Sequence, residues 1–335
     1  MKKIIIIGNF GKSGKVDGQI VKTRTIYNSI KKRYKLNYKV VVLDTSKKNI
    51  FFYAKSIKEI ITAYRIIILP AYSALKPLLF LINCLNATQK TIHIAIGGWL
   101  DSYLNDKRWL NIENKLISVL VEIESLKLSL EKLGLKNVVY FPNYRENSQE
   151  KISVSEKKTP YRKFVFCARI IPEKGIIEAI DSIKILNKKD NKYFLDIYGP
   201  LSDDFKEKFF KRINNVDNIK YLGILEQRKI ITTLNKYDAL LFPTYYRGEG
   251  FPGILLETFM AGVPVIASDW NYNKEIIKIE NTGLLCKIHS VESIINCIET
   301  LNNNLEKYKK MPINCKQKAE EFTEEKVTKI LFDLI

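Results

Sequence analysis

The chain has 335 residues, enough for two domains, and its 46% of hydrophobic and 11% of aromatic residues exclude an extended disordered protein. The formal net charge is +19, and the first 150 residues carry most of it, with 25 Lys and Arg against 11 Asp and Glu. This excess favours an anionic partner for the first half, either a membrane surface, a phosphorylated acceptor or nucleic acid. A lysine-rich composition bias explains it equally well.

The cysteines and the N-terminus indicate a reducing compartment. Five scattered cysteines show no C-x-x-C spacing, and the apolar run in MKKIIIIGNF is too short for a signal peptide. No stretch approaches the roughly 20 apolar residues of a membrane-spanning helix. We therefore expect a cytoplasmic protein, either soluble or peripheral at the inner face of the cell membrane.

Short apolar runs alternate with amphipathic helical stretches along the whole chain, which predicts α/β units with buried parallel strands. The first series of predicted strands is 3–7, 39–43, 65–69, 91–96 and 138–141, and the second is 164–168, 194–198, 219–222, 239–242 and 264–267. A polar, charged segment, Asn143 to Tyr161, separates them.

Two such series predict two Rossmann-like domains that face each other across a cleft, because open parallel sheets bind ligands at the carboxyl ends of their strands. The predicted boundaries are 1–150 for the first domain and 151–320 for the second. The last stretch, 321–335, is predicted to be a helix that packs back on the first domain.

The segment PTYYRGEGFPGILLE, Pro243 to Glu257, follows a predicted strand and enters a helix near Pro252. The start of such a helix offers free amides and a positive dipole end to a phosphate. Glu249 lies on the loop, where it can reach sugar hydroxyls. Glu257 lies inside the helix, where it can accept hydrogen bonds from a ribose.

The spacing of Glu249 and Glu257 within EGFPGILLE, followed by AGVPVIA, resembles the signature of retaining glycosyltransferase family 4, whose fold is GT-B. The resemblance implies that the donor contacts this segment through Gly250, Phe251, Pro252, Gly253, Ile254, Leu255 and Glu257. It also places the nucleobase near Gly223 and Leu225.

A second motif, FCARIIPEKG from Phe166 to Gly175, resembles the place where the family binds the donor diphosphate. Arg169 and Lys174 match the family's arginine and lysine. Fixed cations there would stabilise the negative charge that grows on the leaving oxygen without a metal. The resemblance thus implies Arg169, Lys174 and Glu249 as catalytic residues.

The loop after the first predicted strand, GNFGKSGK from Gly8 to Lys15, lacks the spacing of a P-loop and of a dinucleotide fingerprint. The following helix start resembles the family's glycine-rich loop, with Gly18 and Gln19 as candidates. The histidine that many family members carry after the fourth strand is replaced by Gly97-Gly98-Trp99. His93 is interpreted as a core residue, and Asp101 is a weak candidate on the acceptor side.

Three further expectations concern cofactors and partners. No Asp-x-Asp occurs in the sequence, so we expect neither a metal nor another cofactor beyond the donor substrate. Nucleic acid is not expected, because the sequence shows no aromatic and basic stacking surface for a single strand. The lysines and aromatics of Lys47 to Lys58, taken with Lys31 to Lys35, fit an anionic membrane surface, or simply a helix with its lysines in water.

The resemblance therefore implies a retaining hexosyltransferase in which 1–150 is an acceptor-binding domain and 151–320 a nucleotide-sugar-binding domain. The lack of Asp-x-Asp predicts that the enzyme is metal-independent. Its donor would be a UDP- or GDP-linked sugar, and its acceptor a glycan or lipid-linked glycan of cell-surface polysaccharide biosynthesis. Two alternatives stay open: a nucleotide-sugar epimerase or hydrolase of GT-B fold, and a non-catalytic binding protein on the same scaffold.

Overall fold

The structure is a computed structural model that describes residues 1–11, 17–46, 50–146, 152–188 and 192–335. The predicted loop Gly8 to Lys15, the patch Lys47 to Lys58 and the segment Asn143 to Tyr161 each lie partly outside the described residues. The chain divides into two units, Met1–Glu146 with Thr323–Ile335, and Asn147–Phe322. Each unit contains a parallel six-stranded sheet with flanking helices, so the predicted α/β fold of two Rossmann-like sheets is confirmed.

The first unit alternates strands and helices. Its strands are β1 (Lys2–Gly8), β2 (Tyr38–Asp44), β3 (Arg65–Leu69), β4 (Thr91–Ile94), β5 (Ser118–Val121) and β6 (Val138–Tyr140). Its helices are α1 (Gly18–Tyr34), α2 (Ile50–Thr62), α3 (Tyr72–Cys84), α4 (Leu100–Leu104), α5 (Lys107–Glu113) and α6 (Glu124–Lys132).

The strand order of this sheet is β2-β1-β3-β4-β5-β6. The four isoleucines of β1, Ile4 to Ile7, are fully buried. Such a continuous apolar run is typical of a central parallel strand covered on both faces. The order reverses between β1 and β3, so the loops after these two strands lie at a topological switch point, where open α/β sheets bind ligands.

Helix α1 begins at a defined cap. The side chain of Asp17 accepts a hydrogen bond of 2.9 Å from the Ile20 amide, which satisfies one of the free donors of the first turn. Lys31, Lys32 and Arg33 lie in its last turn, where cations complement the helix dipole.

The second unit repeats the pattern. Its strands are β7 (Lys163–Cys167), β8 (Phe194–Tyr198), β9 (Ile219–Tyr221), β10 (Ala239–Phe242), β11 (Val265–Ser268) and β12 (Gly283–Cys286). Its helices are α7 (Ile176–Asn187), α8 (Lys206–Ile213), α9 (Ile230–Leu234), α10 (Gly253–Met260), α11 (Asn273–Ile276), α12 (Val291–Asn303), α13 (Leu305–Tyr308) and α14 (Met311–Ala319).

This sheet has the order β12-β11-β10-β7-β8-β9, which is the Rossmann arrangement of its six strands. The order reverses between β7 and β10, whose residues pair as Ala239 with Phe164 and Leu240 with Val165. The loops that leave β7 and β10 are therefore neighbours at the second switch point.

The final helix, α15 (Glu324–Phe332), belongs to the first unit. Its Val327 and Leu331 are buried in one cluster with Ile26 and Ile30 of α1. Ser29 donates a hydrogen bond of 2.7 Å to Glu324 at the start of the helix.

Each sheet has one strand more than the sequence analysis predicts, β5 in the first unit and β12 in the second. The predicted strands agree with observed ones to within about two residues at their ends, which is the ordinary uncertainty of element boundaries. Among the described helices, none is long and apolar enough to cross a bilayer.

Candidate active site

The loops after β7 and β10 meet through Gly175. This residue has φ of +75°, and a Cβ atom there would lie 2.1 Å from the carbonyl oxygen of Pro243, so only glycine permits the approach. The amide of Tyr245 donates to the Glu173 carbonyl at 2.8 Å. The contact places Lys174 beside the loop that carries Glu249.

Lys174 and Glu249 form a buried ion pair in which the lysine amino group donates to the carboxylate. The side chains are each only 10% exposed. Thr244 donates a further hydrogen bond of 3.2 Å to the same carboxylate oxygen of Glu249. The structure thus joins two residues that the sequence predicts separately, and their charges cancel within this pair.

Tyr246 connects the two predicted cations. The Arg169 guanidinium lies 5.1 Å from the centre of the Tyr246 ring, and the Lys174 amino group lies 4.8 Å from it. Trp270 donates to the Tyr246 carbonyl at 3.0 Å and so fixes the backbone there. The sequence analysis did not identify Tyr246. Its only signal was the aromatic pair Tyr245-Tyr246, which begins three residues after the end of β10.

Helix α10 begins directly after Pro252, close to the predicted start. Pro252 is the N-cap and not the first helical residue, with an extended backbone and no side-chain cap. The amides of Gly253 and Ile254 are the first two of the helix, which lack acceptors within a helix. The Leu255 amide donates to the Pro252 carbonyl at 3.1 Å.

Several of the predicted donor-binding residues around the start of α10 are buried. Gly250 and Phe251 are buried, and the Phe251 ring packs edge-on against Phe322 with 5.0 Å between ring centres. Leu255 is also fully buried. The side chains of Phe251 and Leu255 are used in packing within the second unit. These residues would therefore contact a ligand through their backbone atoms.

Glu257 lies beside the loop predicted to hold the nucleobase. Gln227, from the turn after Gly223 and Leu225, donates a hydrogen bond of 2.6 Å to the Glu257 carboxylate. Burial raises the pKa of the Cys167 thiol at the end of β7 to about 12, and the nearby charge of Glu257 adds to this effect. The structure therefore brings Gly223, Leu225 and Glu257 to one region of the unit through Gln227, which the sequence analysis missed.

The two predicted first-unit residues lie at the first switch point. Gly18 and Gln19 are the first residues of α1, after the loop that follows β1. Apart from its chain neighbours and its own helix, no described residue has an atom within 4 Å of the position that a Gly18 Cβ would occupy. The described residues therefore leave the space beside Gly18 open.

A buried ion pair occupies the carboxyl edge of the first sheet. Lys22 of α1 binds Glu122, which follows β5, and Glu122 also accepts a hydrogen bond of 3.0 Å from the Gly97 amide. Burial lowers the pKa of Lys22, although its pairing with Glu122 opposes the shift. The network supports the Gly97-Gly98-Trp99 segment. Sequence reasoning missed it because the partners lie 100 residues apart.

The two remaining residues of interest in the first unit, His93 and Asp101, make contacts within that unit. His93 is fully buried, with 2.8 Å between its Nδ1 atom and a Glu113 carboxylate oxygen, in agreement with its interpretation as a core residue. Asp101 accepts a hydrogen bond of 2.7 Å from the Ser102 amide in the first turn of α4. In the described part of the chain, no three His, Cys, Asp or Glu side chains gather in a way that could hold a metal ion.

Comparison with known proteins gives three kinds of match. A family model described as glycosyl transferases group 1 matches residues 147–318, just over half of the chain. The capsular polysaccharide biosynthesis glycosyltransferase CapM of Staphylococcus aureus is 24% identical over 205 residues, which are 58% of this chain and 50% of CapM. The UDP-Gal:alpha-D-GlcNAc-diphosphoundecaprenol alpha-1,3-galactosyltransferase of Escherichia coli is 22% identical over 180 residues, 52% of this chain and 45% of the enzyme.

Among solved structures, Anabaena HepE in complex with UDP and glucose superimposes with a TM-score of 0.72. The match covers 99% of both chains at 15% sequence identity, and it shows a shared fold. The chain spans about half the length of the curated relatives it matches.

Proposed function

Since the chain belongs to the family of group 1 glycosyl transferases, we propose that it transfers a hexosyl group from a nucleotide-sugar donor to a glycan or lipid-linked glycan acceptor. The observation that carries the proposal is the joining of Arg169, Lys174 and Glu249 around Tyr246 at the switch point between β7 and β10.

The charges at this site suit a nucleoside diphosphate. Glu249 neutralises Lys174, so the exposed guanidinium of Arg169 supplies the net positive charge, together with the amides of Gly253 and Ile254. We propose that hydroxyl groups of the donor sugar donate hydrogen bonds to Glu249. Lys174 is then released toward the diphosphate, and Glu257 binds the ribose.

The proposed reaction retains the configuration of the sugar, as in glycosyltransferase family 4. The bond between the anomeric carbon and the diphosphate oxygen breaks, and a bond to the acceptor oxygen forms on the same face. The acceptor hydroxyl gives its proton to the departing phosphate oxygen. Arg169 and Lys174 stabilise the charge that develops on that oxygen, and the proposal needs no metal.

The proposal assigns the donor to the second unit and the acceptor to the first, through Gly18 and Gln19. Cell-surface polysaccharide biosynthesis is the proposed setting, supported by the similarity to CapM. The similarity to an enzyme that acts on a diphosphoundecaprenol-linked sugar supports a lipid-linked acceptor. Such an acceptor places the protein at the inner face of the cell membrane, with the basic first unit toward anionic lipid.

Transfer can be tested with the purified protein, radiolabelled UDP- and GDP-sugars, and a lipid extract as the source of acceptors. We expect label to enter the lipid fraction from one donor. Glu249→Gln and Lys174→Ala should each lower the rate by at least about a hundredfold, because each removes a group that contacts the reacting centre. An excess of chelator should leave the rate unchanged.

The matched controls are Glu207→Gln and Lys208→Ala on the exposed surface of α8, which should keep the wild-type rate. Transfer by Glu249→Gln at the control rate would contradict the proposal. Release of free sugar without any acceptor would instead identify a hydrolase on the same scaffold. If chelator abolished the activity and added magnesium restored it, only the proposed metal independence would be contradicted.

A further inference from the structure

Helices α2 and α3 of the first unit expose apolar side chains that the core does not use. On α2, Tyr53, Ile57 and Ile61 follow a spacing of four residues, so they lie along one exposed stripe. On α3, Phe80 is exposed, and Tyr72 is exposed although its ring packs edge-on against Trp99 and Tyr103. Ile61 is 58% exposed and Phe80 is 61% exposed. Their exposure is costly in water and indicates an interaction surface.

The two helices are neighbours. A small apolar groove between them is lined by residues of both helices, including Tyr53, Pro77 and Leu81. The strand order and the right-handed rule for parallel crossovers place α2 and α3 on the same face of the sheet, and α1 on the opposite face. We call the exposed side of α2 and α3 the α2–α3 surface.

Lysines accompany the apolar residues of the α2–α3 surface. Lys55 and Lys58 of α2 and Lys76 of α3 are exposed. Residues 45 to 100 contain seven Lys and Arg and a single acid, Glu59. Lys3 donates a hydrogen bond of 2.6 Å to Glu59, so this one negative charge is already compensated. The surface therefore combines apolar side chains with the positive charge of Lys55 and Lys58, whereas Lys76 is close enough to Asp106 to interact with its charge.

The basic run of α1 is different. The apolar residues Ile26 and Ile30 of α1 belong to the core, and Lys31 to Arg33 occupy its last turn. The predicted membrane patch joined this run to the lysines before and within α2. The strand order places helices α1 and α2 on opposite faces of the sheet, so only one of the two helices can meet a given flat surface.

We propose that the α2–α3 surface docks on an anionic lipid bilayer. Helices that lie at a membrane interface insert aromatic and aliphatic side chains among the headgroups and hold lysines near anionic lipid. The surface offers both on two adjacent helices, and its charge is complementary to that lipid. The inference deepens the proposed function, on whose membrane contact it rests, by naming the surface and the lipid chemistry.

Vesicle co-sedimentation of the full chain tests the proposal without donor or acceptor, so its result is independent of glycosyl transfer. Vesicles of phosphatidylcholine with about one quarter phosphatidylglycerol should bind the protein, and pure phosphatidylcholine should bind it much more weakly. Raising NaCl from about 0.1 M to 0.5 M should weaken binding, because salt screens the lysines.

Variants locate the surface. Ile57→Ser with Ile61→Ser should weaken binding by about tenfold or more, because it removes apolar area from the interface. Lys55→Gln with Lys58→Gln should weaken it by about fivefold per lysine. Phe80→Ser on α3 provides an independent test if the α2 double variant does not fold. Circular dichroism checks that each variant is folded.

The matched control is Lys31→Gln with Lys32→Gln, which removes the same charge from the other face and should bind like the wild type. Equal losses in this control and in the α2 lysine pair would overturn the proposal, as would equal binding to pure phosphatidylcholine. A dimer that forms without vesicles and that Ile57→Ser with Ile61→Ser dissociates, in a protein that binds no vesicles, would assign the surface to a second copy instead.

Discussion

Tyr246 shows how one side chain organises a charged site. Its ring contacts Arg169 and Lys174 at distances of 5.1 and 4.8 Å from the ring centre, and cations within about 6 Å of an aromatic face are attracted to it. A cation and an aromatic ring contribute about 1 kcal/mol at such partly exposed positions. We infer that Tyr246 positions both cations without contacting the reacting atoms.

We therefore predict that Tyr246→Leu weakens donor binding by about thirtyfold, which corresponds to about 2 kcal/mol for two contacts. Tyr246→Phe keeps the ring and should remain close to the wild type. The two variants are compared by calorimetry of UDP or GDP binding, with whichever nucleotide the wild type binds. Equal affinity of the Leu and Phe variants would show that the ring does not hold the cations.

The residues of the candidate site could be predicted from the sequence, but the contacts between them could not. The identities of Arg169, Lys174, Glu249 and Glu257 could be proposed from local motifs. The pairing of Lys174 with Glu249 could not, because the two lie 75 residues apart and meet only where β7 pairs with β10. The hydrogen bond from Gln227 to Glu257 depends in the same way on a turn that no local pattern connects to α10.

At the scale of elements, α15 completes the first unit. Val327 and Leu331 of this helix are buried with Ile26 and Ile30 of α1, on one face of the β1 sheet. A short helix has little stability by itself, so its conformation depends on this packing. The core of the first unit therefore includes residues from both ends of the sequence.

We predict that Leu331→Ala destabilises the first unit by about 2–5 kcal/mol, because truncation of a buried leucine loses apolar contacts and leaves a cavity. Trp99 and Trp109 lie in this unit, so their fluorescence during urea unfolding, in a Trp270→Phe background, reports its stability. Lys329→Ala on the exposed side of α15 is the control. A midpoint for Leu331→Ala equal to that of the control would contradict the packing described here.

The sequence analysis missed two short strands. Strands β5 and β12 are four residues long, and a short apolar run by itself does not distinguish a strand from the start of a buried helix. Strands β10 and β11 are equally short, but Pro243 and Pro264 mark their boundaries. β5 continues through Glu122 and Ile123 into α6 without a Gly or Pro between them. The longer β1 and β3 were predictable because their isoleucine runs end at Gly8 and Pro70.

At the scale of the whole molecule, the charge and the candidate residues are distributed differently between the units. Most of the net charge of +19 lies in the first 150 residues, whereas the candidate donor residues from Arg169 to Glu257 all lie in the second unit. The proposed division of labour follows from this distribution: donor chemistry in the second unit, and contact with acceptor and lipid in the first.

This division predicts which amides a nucleotide protects from hydrogen exchange. A ligand that binds only the folded protein at about 100 times its Kd stabilises its site by about 2.7 kcal/mol, which slows exchange there by up to about a hundredfold. With saturating UDP or GDP, whichever base the protein prefers, we expect protection in peptides that cover residues 169–174, 223–227 and 249–257. Peptides from α2 and α3 should exchange as in the free protein, because lipid and not nucleotide is proposed to contact them. Protection confined to the first unit would reverse the assignment of the donor, and mass spectrometry of the exchanged peptides distinguishes the two results.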